Sequence, residues 1–267
     1  MARTFRSLRR QNLSAQVVRE IGLSIMRKDF QPGDALLSEP ELSQQFNVSR
    51  PVLREALKVL AEKGLIEARP RTGTRVRPRA DWNLLDPEVL TWQYEVGPDP
   101  AFLEAVCEVR LMFEPMTARL AASRATAEEI ETIEEACGRL EELVEEAEPY
   151  IEADLAFHSA ICAAAHNELL ERIVATLAAP LRASRLVTAR LPGANQRTMP
   201  LHRRVAEAIR LRQGLTAEEA MRDLIVLTTE DVHRALGYAL SGSGRSLSAC
   251  PYDSQSEAPA VTGEGGE

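Results

Sequence analysis

Residues 38–65 constrain this chain most, because they carry the signals for two short helices with a tight break between them. Ser38 and Glu41 form a Ser-x-x-Glu capping box, and Pro40 falls in the first turn, where its missing N–H removes no helical hydrogen bond. Leu42 and Phe46 are four apart and share an inward face. Asn47 and Val48 break the helix, and Ser49 is suited to cap the next one. There Val52, Leu53, Ala56, Leu57 and Leu60 make an apolar stripe, while Arg50 and Arg54, four apart, lie on another face. A helix buried along one side with arginines on another suits the major groove of DNA, where Arg pairs with guanine edges or clamps phosphates.

After Gly64 the period changes. Residues 65–67 and 74–76 read as two short strands, and residues 68–73 between them form a basic hairpin tip. Helix, turn, helix and basic hairpin together describe a winged helix-turn-helix.

Charge divides the chain in the same way. Residues 1–80 carry 16 Lys and Arg against 8 Asp and Glu, and the remainder carries 16 against 32, which gives the net −8. A basic module on an acidic body is what a DNA binder with a separate control domain would show, since the acidic part cannot bind DNA by neutralising phosphates. The chain's 267 residues are long enough for two domains. The four cysteines, Cys107, Cys137, Cys162 and Cys250, are far apart and form no Cys-x-x-Cys, so no zinc ribbon or thioredoxin-type pair is suggested. No signal-peptide pattern and no run of eighteen apolar residues is present, so a soluble cytoplasmic protein with reduced thiols and no membrane partner is expected.

Taken in order, residues 1–12 are a flexible basic arm, with Arg3, Arg6, Arg9 and Arg10. Residues 13–78 are the winged helix-turn-helix, opened by a helix over 13–28 with Val17, Val18, Ile21 and Ile25 inward. Residues 79–99 are a linker and docking segment that holds both tryptophans, Trp82 and Trp92, read as docking the linker onto the body that follows. Residues 100–240 are expected to form an all-helical antiparallel bundle for effector binding and dimerisation. A long helix ends near Arg124, and a second runs from a capping box at Thr126 and Glu129 to about Ala147. A third runs from Pro149 to about Ala165, and a fourth spans 168–190 with a kink at Pro180. The last two cover 198–212 and 217–240. Residues 241–267, rich in Gly, Ser, Pro and Glu, are a disordered tail. The fold class is therefore mainly α.

Chemistry concentrates in the third helix of the body. Asp154 and His158 are four apart on one face, so a carboxylate and an imidazole can reach a single cation from a rigid helix, and His202 lies further along the chain. Without a metal, the same polar trio can hydrogen-bond a hydroxyl-rich ligand directly. Thr198, one turn before His202, adds a hydroxyl.

The run Gly33-Asp34, Ser38-Glu39, Leu42, Phe46-x-Val48-Ser49-Arg50-Pro51-Val52-x-Arg54-Glu55-Ala56-Leu57, Leu60, Gly64-Leu65-Ile66 and Gly73-Thr74-x-Val76 resembles the GntR family of bacterial transcription regulators. The Asp-x-x-Phe-His signature at residues 154–158, with Glu108-Val109-Arg110, Glu114-Pro115 and Leu120-Ala121-Ala122, resembles the FCD effector domain of its FadR-type branch. Together the likeness covers residues 13–240.

The resemblance implies DNA contacts at Ser49, Arg50 and Arg54 and in the wing at Arg71, Thr72 and Gly73. Where the family often places a DNA-touching Arg after the helix-opening Glu, this chain has Pro40. It also implies a divalent metal, zinc or similar, held by one Asp and three His, with a small carboxylate effector completing the coordination. Three ligands carry over to Asp154, His158 and His202, and the fourth falls near Leu224, which cannot ligate. His233 would face the opposite side of the last helix as an exposed histidine, and His166 is two turns beyond His158. Arg110 is implied to face the effector, where a guanidinium matches a carboxylate in fork geometry.

The segment from Trp82 to Trp92 with Asp99-Pro100 looks most like galactonate-operon repressors, which implies a sugar-acid effector such as an aldonate. The expected function is a ligand-responsive, homodimeric repressor of double-stranded operator DNA, since two heads on a palindrome square the discrimination of one. Two rivals come from other classes: a hydrolytic metal centre, which no nucleophile motif or general base supports, and an effector-independent DNA-binding protein.

Overall fold

The computed structural model describes residues 13–69, 73–97, 99–189 and 191–237. The arm over 1–12, the tip residues 70–72 and the stretch 238–267, with the expected tail and helix end, lie outside the described residues. The described residues hold eleven α-helices and one two-stranded sheet, a mainly α fold of winged helix-turn-helix plus helical body.

The head comprises α1 (Leu13–Met26), α2 (Glu39–Gln45), α3 (Arg50–Glu62), β1 (Ile66–Arg69) and β2 (Gly73–Val76). The capping box forms at the start of α2: Glu41 Oε2 accepts from Ser38 N at 2.9 Å and from Ser38 Oγ at 2.6 Å. The α3 stripe buries Leu53, Ala56, Leu57 and Leu60 against Val17, Val18, Ile21 and Ile25 of α1, while Val52 sits half-buried at its edge. The strands run one or two residues further into the tip than their side-chain pattern suggests, pairing antiparallel from Ile66 opposite Val76 to Arg69 opposite Gly73. Gly64 turns the chain from α3 to β1 at φ +75°, and a Cβ there would collide with the Asp81 carbonyl oxygen, so both conformation and space call for glycine.

The junction differs from its reading in the sequence. A 3-10 turn (Arg79–Asp81) leads to α4 (Pro87–Val96), capped by Asp86, whose Oδ1 accepts from Glu88 N and Val89 N. Both tryptophans dock into the head and not onto the body. Trp92 is 2% exposed within the head's apolar cluster, and Trp82 packs against that cluster while its Nε1 donates to Arg77 O at 2.9 Å. Gly22 of α1 makes room for Trp92: a Cβ built there would lie 2.5 Å from the ring. The Lys63 ammonium sits 5.7 Å from the Trp92 ring centre and bridges Asp86 at 2.8 Å and Glu88 at 2.7 Å. Burial tends to lower its pKa, but the two carboxylates prevail and raise it.

The body comprises α5 (Pro100–Arg124), α6 (Ala127–Glu142), α7 (Ala147–Ala164), α8 (Glu168–Thr176), α9 (Ala178–Thr188), α10 (Ala194–Arg210) and α11 (Gly214–Ala235). The single helix expected over 168–190 is two. The break falls at Leu177, which puts Pro180 third in α9, where its backbone nitrogen would have no helical partner anyway. The α10 helix begins at Ala194, earlier than expected, after Gly193 in a left-handed turn at φ +72°. The central core joins Ala118, Ala121 and Ala122 of α5, Ile133 and Leu140 of α6, Phe157 and Ile161 of α7, Val205 and Ile209 of α10, and Leu224 and Ile225 of α11. α9 packs against α5, α7 and α11 and also against α4, and so joins the body to the junction. No helix among the described residues is long and apolar enough to cross a membrane.

Candidate functional site

The head presents the N-terminal end of α3. Ser49 has extended backbone geometry at the cap position, but its side chain makes no capping bond, so the hydroxyl is available to an outside acceptor. Arg50 and Arg54 are exposed, and Arg54 Nε lies 2.9 Å from Glu39 Oε2 on α2. Glu39 thus occupies the arginine's fork in the free protein, a partner that the sequence reading did not assign. Gly73 opens β2 at φ +80°, while Arg71 and Thr72 lie outside the described residues.

In the body, Asp154 and His158 of α7 and His202 of α10 come together, each offering a ligand atom within 4.8 Å of the others. His202 Nδ1 lies 3.0 Å from Thr198 O. A carbonyl only accepts, so Nδ1 carries the proton. Burial first, and His158 second, push the His202 pKa down to about 3, so its ring is neutral and Nε2 is a bare lone pair. That lone pair faces Asp154 Oδ1 at 3.1 Å. His158 Nδ1 lies 2.8 Å from Glu114 Oε2, at ion-pair distance though off hydrogen-bond angle, and its Nε2 is 3.8 Å from Asp154 Oδ1. Each imidazole is held through one nitrogen by an oxygen of the protein and aims the other at the same carboxylate, the arrangement that outer partners give to metal-ligating histidines. Acceptors converging without a hydrogen between them repel, and a cation is the guest that relieves them.

Two residues that the sequence reading did not place in a role complete the site. Glu114 Oε1 accepts from Arg110 Nε at 2.7 Å, both buried on α5. Burial tends to raise the Glu114 pKa, but Arg110 and His158 outweigh it and hold it well below the usual carboxylate range. Arg185 of α9 forms an ion pair with Asp154 Oδ2, and burial, then the nearby Arg110, lower its pKa to about 9. Two guanidiniums and two carboxylates therefore balance around the neutral His202 ring. Glu114 had a signal, its four-residue spacing from Arg110 on one helix; Arg185, beside Ser184, had none.

Arg110, Asp154, His158, Thr198 and His202 all line one cavity of about 30 Å³, enough for roughly two water molecules. Thr198 Oγ1 donates to Asn195 O at 3.0 Å and lies 3.1 Å from the Tyr150 hydroxyl. Leu224, near which the resemblance implies a fourth ligand, lines the same cavity as a fully buried side chain, with Thr228 one turn further on. His166 is elsewhere and exposed, its Nε2 2.9 Å from Glu129 Oε2, and His233 is half-buried and does not line the cavity.

Residues 13–76 match the family of bacterial regulatory proteins called gntR, and residues 105–226 match the FCD domain. The chain is 34% identical over 219 residues to the galactonate operon transcriptional repressor of Escherichia coli K12, covering 82% of this chain and 96% of that protein. It is 31% identical over 220 residues to the transcriptional repressor NanR of Cronobacter sakazakii, covering 81% and 84%. Among solved structures, Lar, described as controlling the Listeria monocytogenes agr system, shares the fold with a TM-score of 0.58 at 17% identity, covering 87% of this chain and 99% of that one. With a reading head at one end, a polar cavity in the helical body and these relatives, the chain belongs to the GntR family of DNA-binding transcription regulators, regulators and not enzymes, in the branch that carries an FCD domain.

Proposed function

We propose that the protein is a homodimeric repressor released from its operator by a sugar acid, with a divalent cation at Asp154, His158 and His202. The observation that carries the cavity's part is the bare His202 Nε2 facing Asp154 Oδ1 at 3.1 Å, a pair that calls for positive charge between them. A cation there, zinc or similar, supplies a Lewis-acidic positive charge able to take a carboxylate oxygen. Asp154, His158 and His202 would hold it, and the apolar Leu224 would add no donor from the protein. Charge supports the same reading. Arg110, Arg185, Glu114 and Asp154 balance to zero, so a divalent ion makes the site net positive and favours an anion, for which Arg110 and Arg185 offer donors.

A cavity of about 30 Å³ is too small for an aldonate, so binding must part the helices around it. Arg185 lies on α9, and α9 also packs on α4, where Tyr94 joins a cluster with Ala183 and Val232. The effector therefore displaces α9, and α4 passes the change through Trp92 to α1 of the head. A second copy is supported by outward apolar groups on α5, with Met112 80% exposed beside Val109 and Met116, and by α8, none of whose residues is buried although Leu169 and Ile173 are apolar.

Thermal unfolding of the purified chain with galactonate, with and without chelator, tests this reading. An acid at 100 times its dissociation constant adds about 2.7 kcal/mol of stability. Stabilisation by galactonate that disappears with chelator is the expected result. Stabilisation that survives chelator removes the metal from the proposal, and no response to any sugar acid removes the effector.

A further inference from the structure

We propose that the cavity wall shared by α9 and α11 reads the hydroxyl groups of the bound acid, with Asp231 as the residue that sets this specificity. Ser184 and Thr188 on α9 and Thr228 and Asp231 on α11 line the cavity along successive turns beyond Leu181 and Leu224. The three hydroxyls are already spent as donors. Ser184 Oγ donates to Leu181 O at 3.0 Å, Thr188 Oγ1 to Arg185 O at 3.1 Å, and Thr228 Oγ1 to Ile225 O at 3.0 Å. Each therefore offers a guest only its lone pairs. Asp231 is 1% exposed; its Oδ1 accepts from Arg197 and from Arg234, both at 2.8 Å, and its Oδ2 is buried with no hydrogen-bond partner.

Apart from Arg185, which faces the acid group, this wall accepts hydrogen bonds and gives none. A hydrocarbon chain against it would leave the Asp231 oxygen unsatisfied, which is costly for a charged group. A guest that fits must bring O–H or N–H donors. An ammonium would meet Arg197 and Arg234 already paired to Asp231, with Arg110 and Arg185 in the same cavity, so uncharged hydroxyls are the matching chemistry. The inference rests on the carboxylate reading above and deepens it: the arginines take the acid, and the Asp231 wall separates a polyhydroxylated acid from a plain one of equal length.

Titration calorimetry on the full-length chain with zinc supplied tests it, using galactonate, hexanoate and acetate against the wild type, Asp231→Asn and Thr228→Val. The wild type is expected to bind galactonate about 100-fold more tightly than hexanoate, or better, because a site built for hydroxyls rejects analogues that lack them. Asp231→Asn should weaken galactonate binding roughly 10- to 100-fold without weakening acetate binding, since removing a negative charge from the cavity does not disfavour a carboxylate. Thr228→Val, whose hydroxyl belongs to no ion pair, should weaken galactonate less and decides the matter if the Asp231 variant fails to fold. Equal affinity for galactonate and hexanoate, or unchanged galactonate affinity in the folded variants, overturns the proposal and leaves the carboxylate reading standing. No heat from any of the three acids with the wild type overturns the carboxylate reading itself.

Discussion

The head and the cavity bury opposite things. In the head, hydrocarbon from Val17, Ile21, Leu53 and Leu60 is enclosed and Arg50 and Arg54 face outward, so the interior is held by apolar burial and the charges lie at the surface, within reach of DNA. In the cavity, Arg110, Glu114, Asp154 and Arg185 are enclosed with two imidazoles, and their mutual pairing is what makes burial tolerable. The difference separates robustness from responsiveness. An apolar core has one good arrangement, whereas a charge-balanced cavity changes its preferred arrangement when one more charge arrives.

The largest effect should come from breaking the balance. Glu114→Ala leaves Arg110 and His158 without their carboxylate and should cost about 3–5 kcal/mol in urea unfolding. Replacing Arg110 and Glu114 together by Met should restore most of that stability while removing the response to acids. An Glu114→Ala variant as stable as the wild type would mean that the cavity is not held by paired charge. Next comes the junction. Gly22→Ala drives a methyl into the Trp92 ring and should cost about 1–3 kcal/mol, read as a lower unfolding midpoint. No loss there would show that α4 is not seated on the head.

The remaining two probe the outward charges. Arg54→Ala should leave stability unchanged and weaken operator binding by about 1–3 kcal/mol, with a flatter base preference, in fluorescence anisotropy. Unchanged affinity would move the base contacts off this part of α3. The smallest effect belongs to Glu39→Ala. The pair it breaks is exposed, so stability should move by no more than about 0.5 kcal/mol, while operator affinity rises as Arg54 is released. A stability loss as large as that of Glu114→Ala would erase the contrast between the two regions.

This contrast also explains what the sequence made legible. Capping at Ser38 and Glu41, the stripe ending at Leu60 and the strand alternation are local signals, so the head could be read residue by residue. Asp154 and His158 were legible because one helix turn joins them, and His202 through resemblance. Arg185 was not, since its partner lies on another helix and its neighbours give no period that marks the residue as buried. The tryptophans misled for a related reason: aromatic content shows that a segment docks, but what it docks against is a tertiary fact, here the gap over Gly22.

The seat of Trp92 on Gly22 also bears on how such regulators can be recombined. The apparent seam is the short turn at Arg79–Asp81, yet a hybrid joined there would take the head without the indole that completes its interior and give the recipient body an indole with no socket. Exchange after Val96 keeps ring and socket together, so the heritable unit for a change of DNA target is the head with its tryptophan helix, and position 22 is the fitting that any new pairing must preserve.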